Sequence, residues 1–196
     1  MNKGNYRNLI EASYKEKNNE ADSIGQKMGY KLDRDLSNAE HKVFIDKDNK
    51  PTVAFRGTKP TKIKDLLTDA AIAVGLGRFT PRFRESARLM DKVNKKYGAK
   101  STVIGHSLGG SLAEHVGSKS NKVITLDKGT GIGGILKKTN SNQTDIRSSL
   151  DPFSALSIGQ SGGKKITINN TKGLKYLNPL LSHDVKQISK LKSNIL

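Results

Sequence analysis

Thr102-Val103-Ile104-Gly105-His106-Ser107-Leu108-Gly109-Gly110 joins a short strand to a helix through a turn in which glycines flank a serine. The strand, Ser101 to Ile104, is apolar and β-branched and runs directly into Gly105, and the helix-compatible run Leu108 to Val116 follows. A strand that turns at once into a helix brings its backbone segments very close, so a side chain at either flanking position would clash. The pattern Gly-x-Ser-x-Gly is weak alone: a chain with 19 glycines yields about 0.2 matches by chance, so the neighbouring elements carry the weight. Those elements agree. Lys122 to Leu126 is another apolar strand, and a strand, helix, strand succession of this length predicts a right-handed crossover between parallel strands. At such a turn the serine hydroxyl stands at the top of the sheet, which makes Ser107 a candidate nucleophile.

Upstream, Thr80-Pro81 predicts the start of a helix that runs to Tyr97, with Gly98 as its stop and Phe83, Ala87, Met90 and Val93 on its buried face. Asp65 to Val74 has helical spacing and is stopped by Gly75 and Gly77. Lys42 to Ile45 and Thr52 to Phe55, separated by Asp46 to Pro51, read as a β-hairpin. Tyr6 to Met28, with Leu9, Ile10, Ala12 and Tyr14, predicts one amphipathic helix followed by looser chain. Downstream come a glycine-rich loop at Gly129 to Gly134, a strand at Asp145 to Ser149 and a hairpin-like segment at Lys165 to Asn169. A helical pattern through Val185, Ile188 and Leu191 closes the chain. The expected fold class is α/β, a mixed sheet flanked by helices, antiparallel first and parallel later. The whole chain, 1–196, is expected to be one domain.

Composition narrows the chemistry. The chain has 196 residues, no cysteine, 34% hydrophobic residues and 5% aromatic residues with no Trp, and its mean hydropathy is -0.59. Disulfides and thiolate metal sites are excluded. Met1 to Glu20 lacks the apolar core of a signal peptide, and no window reaches the roughly 18 apolar residues of a membrane span, so a soluble, cytoplasmic protein is expected. Lys and Arg number 35 against 18 Asp and Glu, a net charge of +17, which draws the chain to polyanions such as anionic membranes or nucleic acid. The few aromatic residues speak against stacking on single-stranded nucleic acid, while binding to a phosphate backbone stays open.

A serine nucleophile needs a base, and the chain has four histidines. His106 is inside the turn, with its ring expected to point away from the Ser107 hydroxyl. His115 lies two helical turns on, too far along the axis to reach back. His41 precedes the nucleophile, against the Ser, Asp, His order of the hydrolase arrangement. His183 remains. The acid lies between Ser107 and His183, and Glu114, Asp127, Asp145 and Asp151 are the candidates. Glu114 belongs to the helix after the turn, and Asp145 begins a strand. Asp127 and Asp151 each follow a strand, where active-site groups of parallel sheets gather, and Asp151 is preferred because Asp127 comes one strand early.

Taken together, Val53-Ala54-Phe55-Arg56-Gly57-Thr58, Asp65-Leu66-Leu67-Thr68-Asp69, Gly105 to Gly110, Asp151-Pro152 and His183 resemble the class 3, fungal-type lipase family. The resemblance implies an α/β-hydrolase fold and a lipid-ester hydrolase, a triacylglycerol lipase or a phospholipase. It implies Ser107, Asp151 and His183 as the catalytic triad, and Thr58 with Leu108 as the oxyanion hole. It calls for no metal or cofactor, and places Asp69 as a structural buried acid. The chain is shorter than the secreted members, without disulfides or signal, and Ala70 to Phe79 is its lid candidate. Virus-encoded members are similarly small and signal-free, so a virion-associated location is also expected. The rival expectation is a catalytically silent protein of this fold that binds anionic membrane or nucleic acid, for example a virion component.

Overall fold

A computed structural model of the protein describes residues 5–58, 81–130, 136, 138–149, 151–168 and 183. The described strands form one seven-stranded sheet in chain order: β1 Lys31–Leu32, β2 His41–Ile45, β3 Pro51–Phe55, β4 Thr102–His106, β5 Lys122–Leu126, β6 Gln143–Ser148 and β7 Lys164–Ile168. β1, β2 and β3 pair antiparallel, and β3 through β7 pair parallel. The strand that leads to Ser107 is therefore the central one. The expected hairpin has its register set by His41 opposite Phe55 and Ile45 opposite Pro51. Its turn is closed by Asp46, whose Oδ1 accepts from Asp48 N at 3.0 Å and Lys50 N at 2.8 Å, while Asn49 takes the left-handed φ of 59° that Asn tolerates.

The central strands are apolar without alternation because both sheet faces are covered. Phe44, Ala54, Ile104, Ile124 and Ile146 point to one side and pack with Tyr6, Leu9, Ile10 and Ala21 of the N-terminal helices. Val43, Val53, Phe55, Val103 and Val123 point to the other, against Phe83, Leu89, Met90, Val93 and Leu112. That second layer is built by α3 (Pro81–Tyr97) and α4 (Leu108–His115). The end of α3 is marked by Gly98 at φ 61°. Its buried face adds Ser86 and Leu89 to the expected Phe83, Met90 and Val93, and Ala87 is only partly buried.

The single helix expected over Tyr6 to Met28 is two, α1 (Asn5–Ser13) and α2 (Asn18–Gln26). Between them Lys15, Glu16 and Lys17 hold no apolar side chain to keep a helix against the sheet, and the helix ends in a turn closed by Tyr14 N–H to Glu11 O at 3.1 Å. Lys164–Ile168 is not part of a hairpin. It pairs parallel with β6, and α5 (Pro152–Ala155) followed by a 3₁₀ turn at Leu156–Gly159 occupies the connection, a length that suits a crossover rather than a tight turn. β6 begins two residues earlier than expected and ends at Ser148. The helical pattern at Asp65 to Val74, the Ala70 to Phe79 lid candidate and the C-terminal helix after His183 lie outside the described residues.

A buried ionic cluster ties α4 to the parallel half of the sheet. The Lys128 ammonium bonds Glu114 of α4 and, at 2.9 Å, Asp145 of β6, and Lys165 of β7 bonds the same Asp145 oxygen. Thr125 and Gln143 also donate to Asp145. Burial pushes the Asp145 carboxyl up, but Lys128 and these donors outweigh it and hold it below the ordinary carboxylate range. Asp145, one of the candidate acids, is thus committed to structure. Removing Asp145 leaves Glu114 as the one described carboxylate beside buried Lys128 and takes an acceptor from the Thr125 and Gln143 donors. Asp145→Ala should therefore destabilise the fold by about 3 kcal/mol in equilibrium denaturation, and a loss below about 1 kcal/mol would contradict this account of the cluster.

Candidate functional site

Ser107 sits at the end of the central strand with φ 57° and ψ −128°, a backbone conformation that non-glycine residues rarely adopt. The flanking glycines make it possible. A Cβ at Gly105 would stand 2.2 Å from Gly109 O, and one at Gly109 would stand 2.2 Å from Phe55 O. The turn is pinned by Ser107 N–H to Leu126 O at 3.0 Å and by Gly110 N–H to Ser107 O at 2.9 Å. Strain at this one residue points its hydroxyl out of the sheet.

The structure brings Ser107, His183 and Asp151 together. His183 Nε2 lies 2.8 Å from Ser107 Oγ, and His183 Nδ1 lies 2.8 Å from Asp151 Oδ1. All three are buried. Asp151 stands in the loop after β6, at the head of α5, where its Oδ2 accepts the Ser154 N–H at 2.8 Å. Burial raises the Asp151 carboxyl, but the bond to His183, the charge that His183 can carry and the Ser154 donors outweigh it and bring it below its ordinary value. It stays ionised.

Leu108 opens α4 directly after the serine. Thr58 follows β3 in a segment that packs against the turn: a Cβ at Gly57 would be 2.6 Å from His106 O and 3.2 Å from Ser107 Cβ. That segment is clamped from behind. Arg56 bonds Glu40 at 2.7 Å, and Arg82 at the start of α3 bonds both Glu40 and, at 2.7 Å, the Arg56 carbonyl. Nothing in the sequence reading anticipated this Glu40, Arg56, Arg82 cluster, whose members are far apart in the chain. Asp65 to Asp69 lies outside the described residues.

The other histidines fall where elimination left them. His115 is exposed and meets the Phe83 ring edge-on at a centroid distance of 5.1 Å. His41 is on β2, where burial pushes its pKa down to about 4. The His106 ring makes no bond to Ser107 Oγ among the described contacts. Its Nδ1 lies 2.7 Å from the Tyr14 hydroxyl and its Nε2 lies 2.9 Å from the His183 carbonyl oxygen. Tyr14 had no signal in the sequence beyond its place in an amphipathic pattern. Among the described residues no group of three or more His, Cys, Asp or Glu could hold a metal ion, and no helix is long and apolar enough to cross a membrane.

Asp127, the alternative acid, bonds neither the Ser107 hydroxyl nor the His183 ring nitrogens among the described contacts. Its Oδ1 accepts the Ser148 N–H and its Oδ2 accepts the Ser148 hydroxyl at 2.9 Å, and the Ser154 hydroxyl lies 3.4 Å from Oδ1. Burial, reinforced by the neighbouring Asp151 charge, pushes its carboxyl up to about 7 from 3.8. Between those values the folded protein holds a proton that the unfolded chain has released, so this group makes stability fall as pH rises from about 4 to 7. Asp151 acts in a different window, because its lowered value removes stability only as pH drops below its ordinary range. Asp127→Asn, whose amide can bond Ser148 from both ends, should flatten the decline in unfolding free energy between pH 4.5 and 7. The difference in slope should approach the one-proton limit of about 1.4 kcal/mol per pH unit. Equal slopes in the two proteins would show that Asp127 is ionised throughout.

Comparison with known proteins gives one family. The model of the Tle-like phospholipase domain, described as phospholipase-like, matches residues 5–126. The matched span includes Tyr14, Thr58, Ser107 and Leu108 and stops before Asp127, Asp151 and His183. No curated protein matches the chain.

Proposed function

The chain belongs to the Tle-like phospholipase domain family, and we propose that it is a serine carboxylic-ester hydrolase of lipid esters with Ser107 as nucleophile, His183 as base and Asp151 as orienting acid. The observation that carries this reading is the unbroken hydrogen-bonded chain from Ser107 Oγ through His183 to Asp151 Oδ1, 2.8 Å at each link. An ionised Asp151 accepts the Nδ1–H of His183, which leaves the Nε2 lone pair facing the serine proton. We read the fold as an α/β-hydrolase and residues 1–196 as one domain of it, close to the class 3 lipases. In support, the nucleophile ends the central strand, the acid follows β6, and Arg56-Gly57-Thr58 packs on the turn.

In this reading His183 Nε2 takes the Ser107 proton as Oγ attacks the ester carbonyl. The carbonyl oxygen becomes an oxyanion that the backbone N–H groups of Thr58 and Leu108 receive, with the N-terminus of α4 adding a favourable dipole. His183 then gives its proton to the departing alcohol, leaving an acyl ester on Ser107. A water molecule repeats the sequence and releases the fatty acid. The chemistry needs no metal or cofactor.

The family's phospholipase description favours phospholipid over triacylglycerol, and a net charge of +17 suits peripheral attachment to an anionic lipid surface. Nucleic acid would compete for the same charge. Ser107→Ala should abolish hydrolysis of short-chain p-nitrophenyl esters with the melting temperature kept, and Asp151→Asn should lower kcat by about 10⁴-fold by favouring the wrong tautomer. Asp127→Asn should cost far less. Wild-type activity in Ser107→Ala sinks the assignment, and an exchange of the two aspartate results moves the acid to Asp127. On vesicles, binding and Ser107-dependent fatty-acid release should rise with the fraction of anionic phospholipid and fall with salt. Tight binding to duplex DNA, negligible vesicle binding and no released fatty acid would favour the silent binding protein instead.

A further inference from the structure

Tyr14 stands where the chain leaves α1, and its hydroxyl reaches the centre of the site. It lies 2.7 Å from His106 Nδ1, while His106 Nε2 lies 2.9 Å from the His183 carbonyl oxygen. A carbonyl can only accept. His106 must therefore carry its proton on Nε2 and donate it to His183, and the lone pair left on Nδ1 receives the Tyr14 O–H. Burial, with the nearby His183 adding to it, pushes the His106 ring down to about 3, so it stays neutral at ordinary pH. The two imidazoles are close, with ring centroids 4.8 Å apart. The same Tyr14 oxygen touches the segment after β3: a Cβ on Gly57 would be 2.3 Å from it and 3.2 Å from Ser107 Cβ.

We propose that Tyr14 and His106 are positioning residues for the hydrolysis assigned to Ser107, an inference that rests on that assignment. Tyr14 sets the tautomer of His106, and His106 holds the main chain of His183 so that its ring meets both Ser107 and Asp151. Because the tyrosine oxygen also bears on Gly57, one hydroxyl keeps the base and the Gly57-Thr58 segment in register on two sides of the nucleophile. A neutral His106 has a second consequence. When His183 becomes an imidazolium during turnover, the His106 ring 4.8 Å away brings no like charge to repel it. A base displaced by about 1 Å costs on the order of a hundredfold in rate, which is the scale of effect such a brace controls.

The test compares wild type, Tyr14→Phe, His106→Gln, His106→Leu and Ser107→Ala in the full chain, by steady-state hydrolysis of p-nitrophenyl butyrate and by melting temperature. Tyr14→Phe deletes one oxygen. Its kcat should fall about tenfold to a hundredfold, with KM changed less than about twofold and melting little altered. His106→Gln keeps an amide N–H that can reach the His183 carbonyl and should retain well over the activity of His106→Leu, which has no donor. Undiminished kcat in Tyr14→Phe, or equal loss in the Gln and Leu variants at equal melting temperature, overturns the proposal. If Ser107→Ala is as active as wild type, the serine assignment itself fails and the positioning role with it. A histidine ¹⁵N–¹H correlation spectrum of the wild-type protein needs no variant to fold. It should show His106 neutral and protonated on Nε2 from about pH 5 to 8, and a proton on Nδ1 in that range overturns the proposal.

Discussion

The first turn of α4 crosses the end of β3 so closely that a Cβ at Gly109 would stand 2.2 Å from the Phe55 carbonyl oxygen. Much of the site follows from this one contact. It brings Arg56, Gly57 and Thr58 alongside the turn that carries Ser107, so β3, the strand that precedes β4 in the chain and pairs with it, delivers the second backbone donor of the proposed oxyanion hole. Gly105 answers for the other side, where the helix backbone itself would be struck. With both glycines in place Ser107 can hold its strained φ of 57°, and the surrounding sheet keeps it there.

Around that contact stand three groups of charged side chains, each with at least one buried member. Lys128 with Glu114, Asp145 and Lys165 joins α4 to β6 and β7. Glu40 with Arg56 and Arg82 fixes the segment after β3. Asp127 and Asp151 share Ser154 and the loop after β6, and their environments pull them apart, one carboxyl raised and the other lowered. The difference comes from partners: Asp151 has a histidine that can take up charge, and Asp127 has hydroxyl and amide donors only among its described bonds. Two of the chain's lysines, Lys42 and Lys128, are also buried, so part of its basic character is spent inside.

The sheet was legible because its signals are local. Thr102 to Val116, Lys122 to Leu126 and the hairpin around Asp46 to Lys50 each carry their own periodicity and turn chemistry within a few residues. The tight turn at Ser107 was legible for the same reason, and elimination among few alternatives named His183 and Asp151, which the structure places within 2.8 Å contacts of one another and of Ser107. What escaped were features made by distant residues. Tyr14 and His106 are 92 positions apart, and the tyrosine reads as one more apolar residue of a helix. The parallel placement of Lys164–Ile168 was missed because a strand with three exposed side chains at the end of the described sheet has the same alternation in either direction. The break between α1 and α2 was missed because the polar residues Lys15, Glu16 and Lys17 are compatible with a solvated helix face as well as with a turn.

Serine activation is the claim from which the others descend, and a covalent probe measures it directly. The full-length protein is treated with a fluorophosphonate near neutral pH and the adduct is located by mass spectrometry of its peptides. The account predicts a single stoichiometric adduct on Ser107, lost in Ser107→Ala and slowed in His183→Ala, because only a serine whose proton can pass to a base reacts at an appreciable rate. Absence of labelling, or an adduct on another residue at comparable rate, would contradict it.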